Sequence, residues 1–516
     1  MHASVHSVAL SGVDAFEVSV EASIAGGLPG VYVVGLPDTA VREARERVRS
    51  ALRAARLTLP PSRVVVNLAP ADVRKEGPAF DLPIALALLA AQGRVPDGRL
   101  SDAAVVGELG LDGRVRPVRG VLAVALAARD AGRRVVVVPI EQADEARSVP
   151  GLQVVAVGSL TEAIAWARGA TPVEPAGGVR VAAPRRPGVA LDLRDVRGHR
   201  VAKRALEVAA VGRHHVLLIG PPGSGKTMLA ERLAGLLPPL SPTEALEVAS
   251  LHALAGLSRH PCDRSAPWRA PHHSVSLPGL VGTPTSLGEL SLAHGGVLFM
   301  DEWPEFERRA LEALREPLEA RVLELARARG RRTLPADVQL VAAMNPCPCG
   351  LAGDPRRSCG CAPAARRRYL ARVSGPLLDR MAMRVVVPAL AAVDTAADAS
   401  RGAVGSARTA PATAAEATVV VARRVAAARA RSLRRQGTSN GALRGAGLAR
   451  HAALCQAASA LLQRARAEGR LGERGIDDVT RVARSLADLA GRTAVAVDDV
   501  AEALAFRSEL HVDEAP

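Results

Sequence analysis

Aromatic residues are nearly missing from this sequence: three Trp, two Tyr and five Phe make up 2% of 516 residues. Its cores must therefore be packed from Ala, Val and Leu. Lysine is scarcer still, with only Lys75, Lys203 and Lys226, which leaves 64 of the 67 basic residues as Arg. So one-sided a choice, beside abundant Ala, reads as a GC-rich coding signature and weakens any argument from Arg count alone. Long apolar runs are also lacking. Nowhere do about 20 uncharged apolar residues follow one another, so no membrane-spanning helix is expected. The opening stretch MHASVHSVALSGVDAFEVSVE has no basic leader and turns acidic early, so no secretory signal is expected and the compartment is taken as cytoplasmic. Six cysteines agree with that, since four of them cluster at metal-like rather than disulfide-like spacing.

What remains is a chain with 48% hydrophobic residues, long enough for about three domains. A formal charge of +15 favours a polyanionic partner such as nucleic acid. The strongest local signal is GPPGSGKT, Gly220, Pro221, Pro222, Gly223, Ser224, Gly225, Lys226 and Thr227, which follows the aliphatic run HHVLLIG. It matches the phosphate-loop pattern at every defined position and stands where a strand turns into a helix. Glycines let the backbone N–H groups converge on phosphates, and the helix N-terminus adds its dipole. Lys226 would reach the terminal phosphates and Thr227 would ligate magnesium. Asp301 and Glu302 close the apolar run GVLFMDE. Asp301 suits the magnesium shell, and Glu302 suits a base for the attacking water. Asn345 ends the strand VQLVAAMN. It would sense the γ-phosphate if that strand lies between the two preceding ones; otherwise it caps the strand before Pro346.

Four cysteines, Cys347, Cys349, Cys359 and Cys361, bracket the polar loop GLAGDPRRS. They could surround a tetrahedral zinc, or remain free thiols. Cys262 and Cys455 stand alone and are read as packing residues. The pair His272-His273 lacks a third ligand at useful spacing and is expected to be structural. LEARVLELARARGRRTLPADVQLVAA reads as a helix end, a strand, a tip and a returning strand. Arg327, Arg329, Arg331 and Arg332 fall at or near that tip, either as contacts to DNA or as a solvated turn. Lys203 and the arginines near it are expected on a solvated helix face.

Residues 1–167 alternate strands (FEVSVEASI, VVVNLAP, VVVVPI) with helices (AVREARERVRSALRAA, VLAVALAARDAG), as an α/β domain should. Here GLPGVYVVGLPD, VNLAPADVRKEGPAFDLPIAL and GELGLDGRVRPVRGVLAVALAA resemble the YifB/ComM group of magnesium-chelatase-like AAA+ proteins. The resemblance continues through APHHSVSLPGLVG, LAHGGVLFMDEWPEF, AAMNPCPCG, SGPLLDR and RVARSLADLAG. It implies an α/β fold: a P-loop AAA+ parallel sheet with an α-helical lid, preceded by a Lon-protease-like (S5 domain 2-like) α+β domain. In that domain, however, Ala79 and Val124 stand where proteolysis needs Ser and Lys, so it is expected to be non-catalytic. The expected order is the domain 1–167, a Pro/Gly-rich linker 168–190, the ATPase core 191–389, a low-complexity linker 390–415 and the helical lid 416–516.

By the same resemblance Asp192, Leu193, Val196 and Gly198 lie near the adenine pocket, Arg380 matches an arginine finger donated to a neighbouring subunit, and Arg474 matches the second sensor, with Arg484 as runner-up. The resemblance implies an ATP- and Mg²⁺-dependent ring, a homo-oligomer and most simply a hexamer, moving on DNA during recombination. Two other functions stay open, a chelatase-type metal-insertion motor subunit and a regulatory ATPase that does not translocate.

Overall fold

Strand formation in this chain follows its β-branched runs, and the helices follow its Ala/Leu/Arg-rich stretches. A computed structural model describes residues 1–11, 14–71, 73, 75–171, 191–257, 259–283, 285–327, 330–354, 356–389 and 416–507. The expected linker beyond residue 171 and all of 390–415 lie outside the described residues. Two compact units result: Met1–Arg185 with Ser241–Arg264 and Pro284–Leu287, and Arg186–Leu240 with Ser265–Thr283 and Gly288–Pro516.

The first unit holds a seven-stranded sheet in the order Gly30–Val34, Arg63–Ala69, Asp14–Ala25, His2–Ser11, Ala103–Val105, Val135–Pro139, Gln153–Val157. The long strands His2–Ser11 and Asp14–Ala25 pair antiparallel, and the strands beyond His2–Ser11 run parallel. Helix Thr39–Ala54 turns Val41, Ala44, Val48, Ala51 and Leu52 inward at the spacing of a helical stripe, starting from an Asp38 cap on the Val41 N–H. Helix Asp81–Ala91 is buried at every residue. Its Asp81 is completely enclosed, and Arg47 reaches it at 2.6 Å. Burial nonetheless leaves the Asp81 carboxyl above its ordinary range. Val124 sits 1% exposed in helix Val121–Asp130 and Ala79 precedes the buried helix, so neither position offers a nucleophile or a base. Helix Pro242–Leu254, opened by a Ser241/Glu244 capping box, belongs to this first unit although it lies within the span expected for the ATPase core.

The second unit is built on a five-stranded parallel sheet, Trp268–Arg269, Val297–Met300, Gln339–Met344, Val216–Ile219, Met383–Val386. Val216–Ile219, Val297–Met300 and Gln339–Met344 are buried throughout, as strands covered on both faces should be. The strand ending before Asn345 does lie between those ending at the phosphate loop and at Asp301. An antiparallel hairpin, Val322–Arg327 with Gly330–Pro335, precedes it. The lid contains helices Thr418–Gln436, Gly445–His451, Gln456–Ala467, Glu473–Leu489 and Val497–Ala505. Val425, Leu462, Val482 and Leu486 of these helices share one apolar cluster with Leu206 of helix Arg200–Gly212 and with Val216 and Val341 of the sheet.

The start of helix Arg200–Gly212 faces solvent as expected, with Arg200 exposed and the Arg204 side chain 39% exposed. On that face Arg204 bridges Glu207 and Glu502, each at 2.9 Å, and Lys203 donates to the Val196 carbonyl.

Candidate nucleotide site

Gly220 follows Val216–Ile219, and a Cβ there would stand 2.1 Å from the Val387 carbonyl oxygen, so only glycine fits. Gly223 (φ 74°) and Gly225 (φ 85°) take the left-handed turns that deliver the chain into helix Lys226–Leu233. Lys226 is 8% exposed. Its ammonium donates to the Gly220 carbonyl (2.8 Å), the Pro221 carbonyl (2.9 Å) and Asn345 Oδ1 (3.2 Å). Burial draws its pKa below the ordinary lysine value, opposed by the carboxylates of Asp301 and Glu302. Thr227 Oγ1 donates to Asp301 Oδ2 at 2.6 Å. Ser224 Oγ is buried and has no hydrogen-bond partner among the described residues.

Glu302 sits at φ 51°, in the left-handed region that favours glycine, and its N–H donates to Asp301 Oδ1 at 2.9 Å. Its carboxylate lies 3.2 Å from His273 Nδ1. His273 in turn stacks on His272 at 4.0 Å and meets the edge of Phe306. The histidine pair read as structural therefore touches the expected base. Nothing in the spacing of residues 273 and 302 signals that contact; only the parallel alignment of Trp268–Arg269 with Val297–Met300 produces it.

The fold thus brings Lys226, Thr227, Asp301, Glu302 and Asn345 together at the carboxyl ends of adjacent parallel strands, where such sheets bind ligands. Arg380 and Arg474 form a different group. Arg380 Nη2 donates to Glu319 Oε2 at 2.7 Å, and Arg474 approaches the same oxygen at 3.4 Å. Arg474 lies in the first turn of Glu473–Leu489 rather than ahead of it. Arg484 is buried in that helix, bonded to Asp488 (2.8 Å) and to the Thr493 and Arg492 carbonyls, and it cannot reach a nucleotide. Asp192 caps its own turn and accepts from the Thr418 N–H at 2.9 Å.

The four cysteines converge, with all Sγ atoms within 4.8 Å of one another. Cys347 lies 3.4 Å from Cys349 and 3.6 Å from Cys359, too far for disulfides, and none of the four is disulfide-bonded. Such a cluster could hold a metal ion. Arg327, Arg331 and Arg332 lie on the paired strands of the hairpin, opposite Gly330, Ala326 and Leu325, while Arg329 lies outside the described residues. No described helix is long and apolar enough to cross a membrane.

Comparison with known proteins gives three family profiles along the chain. Magnesium chelatase, subunit ChlI, matches residues 192–395; Subunit ChlI of Mg-chelatase matches 20–142; and the ChlI C-terminal profile matches 415–507. An uncharacterised protein of Mycobacterium tuberculosis (strain H37Rv) is 46% identical over 511 residues, 97% of each chain. Protein YifB of Salmonella typhimurium is 40% identical over 510 residues, 98% of this chain and 97% of its own. Competence protein ComM of Haemophilus influenzae is 39% identical over 517 residues, again 98% and 97%.

Proposed function

The chain belongs to the YifB/ComM family of magnesium-chelatase-like AAA+ ATPases, and from that premise we propose that it is a ring-forming motor, most simply a hexamer, that hydrolyses ATP to move on DNA. The observation that carries this is the separation of its cationic groups. Lys226 stays with its own loop, Asn345 and the carboxylates, whereas Arg380 and Arg474 gather on Glu319. Two guanidinium groups held together apart from their own phosphate loop are suited to the γ-phosphate of a neighbouring subunit, which requires a ring.

ATP with magnesium fits the site. The buried Ser224 hydroxyl has no hydrogen-bond partner among the described residues, and the Lys226 ammonium bonds to two loop carbonyls and Asn345, contacts that phosphate oxygens can replace. Thr227 and Asp301 would hold the magnesium, which neutralises charge on the phosphates when bound. Gly220, Pro221, Pro222, Gly223, Ser224 and Gly225 bind through backbone groups, Lys226 adds a positive charge, and Asn345 orients the terminal phosphate. Glu302 positions the attacking water and accepts its proton. DNA is supported by the +15 charge and by the Arg-bearing hairpin Val322–Arg327 and Gly330–Pro335, and one relative bears the name competence protein. Arg327, Arg329, Arg331 and Arg332 would track the phosphate backbone without reading sequence. Cys347, Cys349, Cys359 and Cys361 are assigned a structural zinc, the metal that four thiolates suit best.

The test is a strand-exchange assay on forked DNA with ATP. ATP-dependent displacement supports the motor. ATP turnover that no DNA stimulates, in an assembled ring, would favour metal insertion or a regulatory ATPase.

A further inference from the structure

The cysteine cluster does not stand apart from the nucleotide site. Cys347 is completely buried two residues beyond Asn345, at the end of Gln339–Met344. The turn that follows places Gly350 at φ 78°, and a Cβ there would lie 2.5 Å from Pro222 Cδ and 3.7 Å from Asn345 Cγ. The turn that leaves the first cysteine pair is thus pressed against the phosphate loop itself. The chain then leaves through the second pair into helix Pro363–Leu370, whose buried Tyr369 has the Asn345 backbone beside its phenol group. Asn345 therefore lies between the Gly350 turn of the cysteine segment and the helix that this segment leads into.

Between those two holds the segment has little packing of its own. Gly353, Asp354, Arg356, Arg357 and Gly360 supply no apolar core, and two N–H···S contacts, Ala352 to Cys347 (3.3 Å) and Cys361 to Cys359 (3.4 Å), orient the sulfurs. Tetrahedral zinc with sulfurs at about 2.3 Å spaces them about 3.8 Å apart, close to the 3.4 to 3.6 Å among Cys347, Cys349 and Cys359, with Cys361 Sγ within 4.8 Å of each.

We propose that the four-cysteine zinc site is the strut of the nucleotide site: metal held by Cys347, Cys349, Cys359 and Cys361 fixes the Gly350 turn against Pro222 and keeps Asn345 beside Lys226. Loss of the metal then weakens nucleotide binding from outside the phosphate loop. This rests on the zinc assignment above, and the experiment separates the two.

Zinc per chain is measured on the full-length protein by elemental analysis, and affinity for a fluorescent, non-hydrolysable ATP analogue with magnesium is measured on the same samples. Wild type should hold about one zinc per chain. Removing it with a thiol-reactive mercurial and a chelator should weaken analogue binding about tenfold, and restoring thiol and zinc should recover it. Cys359→Ser with Cys361→Ser should lose the metal and the affinity together. Gly350→Ala serves if that variant does not fold: it should keep its zinc yet bind the analogue about tenfold more weakly, because the new methyl group meets Pro222. Metal loss and Gly350→Ala that both leave affinity unchanged would overturn the strut while leaving the zinc site standing. A metal-free wild type with four freely titrating thiols in this cluster would overturn the zinc assignment, and the strut with it.

Discussion

Glu302 carries its carboxylate on a left-handed backbone with His273 at 3.2 Å, so changing its charge without its shape isolates its chemistry. Glu302→Gln should bind ATP and stall, with turnover lower by about 10²-fold or more, as for loss of a general base. Near-normal turnover in an enzyme-coupled phosphate assay would remove Glu302 from the mechanism. Lys226→Ala should instead lose nucleotide binding, because the only lysine at the loop contacts both phosphate-loop carbonyls and Asn345. Arg380→Ala should bind ATP normally and lose about 10³-fold in turnover. Mixed with Lys226→Ala protein, it should regain part of the rate, since each ring would then contain intact sites built from one subunit's Lys226 and the next one's Arg380. No recovery on mixing would argue against action across a boundary.

At the scale of elements, the lid is pinned by a polar network on helix Glu473–Leu489. Asp488, 1% exposed, accepts from Arg435 (2.6 Å), Arg484 (2.8 Å) and Asn440 (2.8 Å). Asp488→Ala would leave the buried Arg484 guanidinium, and the quarter-exposed Arg435, without their carboxylate and should cost about 3–5 kcal/mol in urea unfolding. A loss under about 1 kcal/mol would mean that the network is solvated. The neighbouring His214, 2% exposed and 2.8 Å from Ser485 Oγ, has its pKa pushed down from 6.5 to about 3 by burial. The unfolded chain therefore takes up this proton first as pH falls. Stability should be independent of this group above about pH 6.5 and fall by about 1.4 kcal/mol per unit below it, a slope that differential scanning calorimetry can follow. The strands of the ATPase sheet and the phosphate loop were legible because they rest on local pattern. Helix Asp81–Ala91 was not, since a helix apolar on every side has no stripe to find. Contacts such as Arg474 with Glu319 and His273 with Glu302 join residues far apart in sequence, and composition and spacing carry no record of them. Whether the strand ending before Asn345 lies between the other two stayed open in the sequence, because strand order in a parallel sheet is set by long-range pairing.

For the whole molecule, the proposed ring couples ATP hydrolysis to DNA. Affinity for DNA should fall steeply with salt, with a slope of about one unit per phosphate contact neutralised. Arg331→Ala with Arg332→Ala should flatten that slope and abolish stimulation by DNA while sparing basal turnover, because the hairpin and the phosphate loop are separate elements. Anisotropy titrations at several salt concentrations read the first effect and turnover assays the second. The most direct measurement is ATP turnover of the assembled wild-type ring at low salt, without DNA and with single-stranded, duplex and forked DNA. DNA should raise the rate in wild type and not in the double arginine variant; a rate unchanged by every form of DNA would rule out the DNA motor.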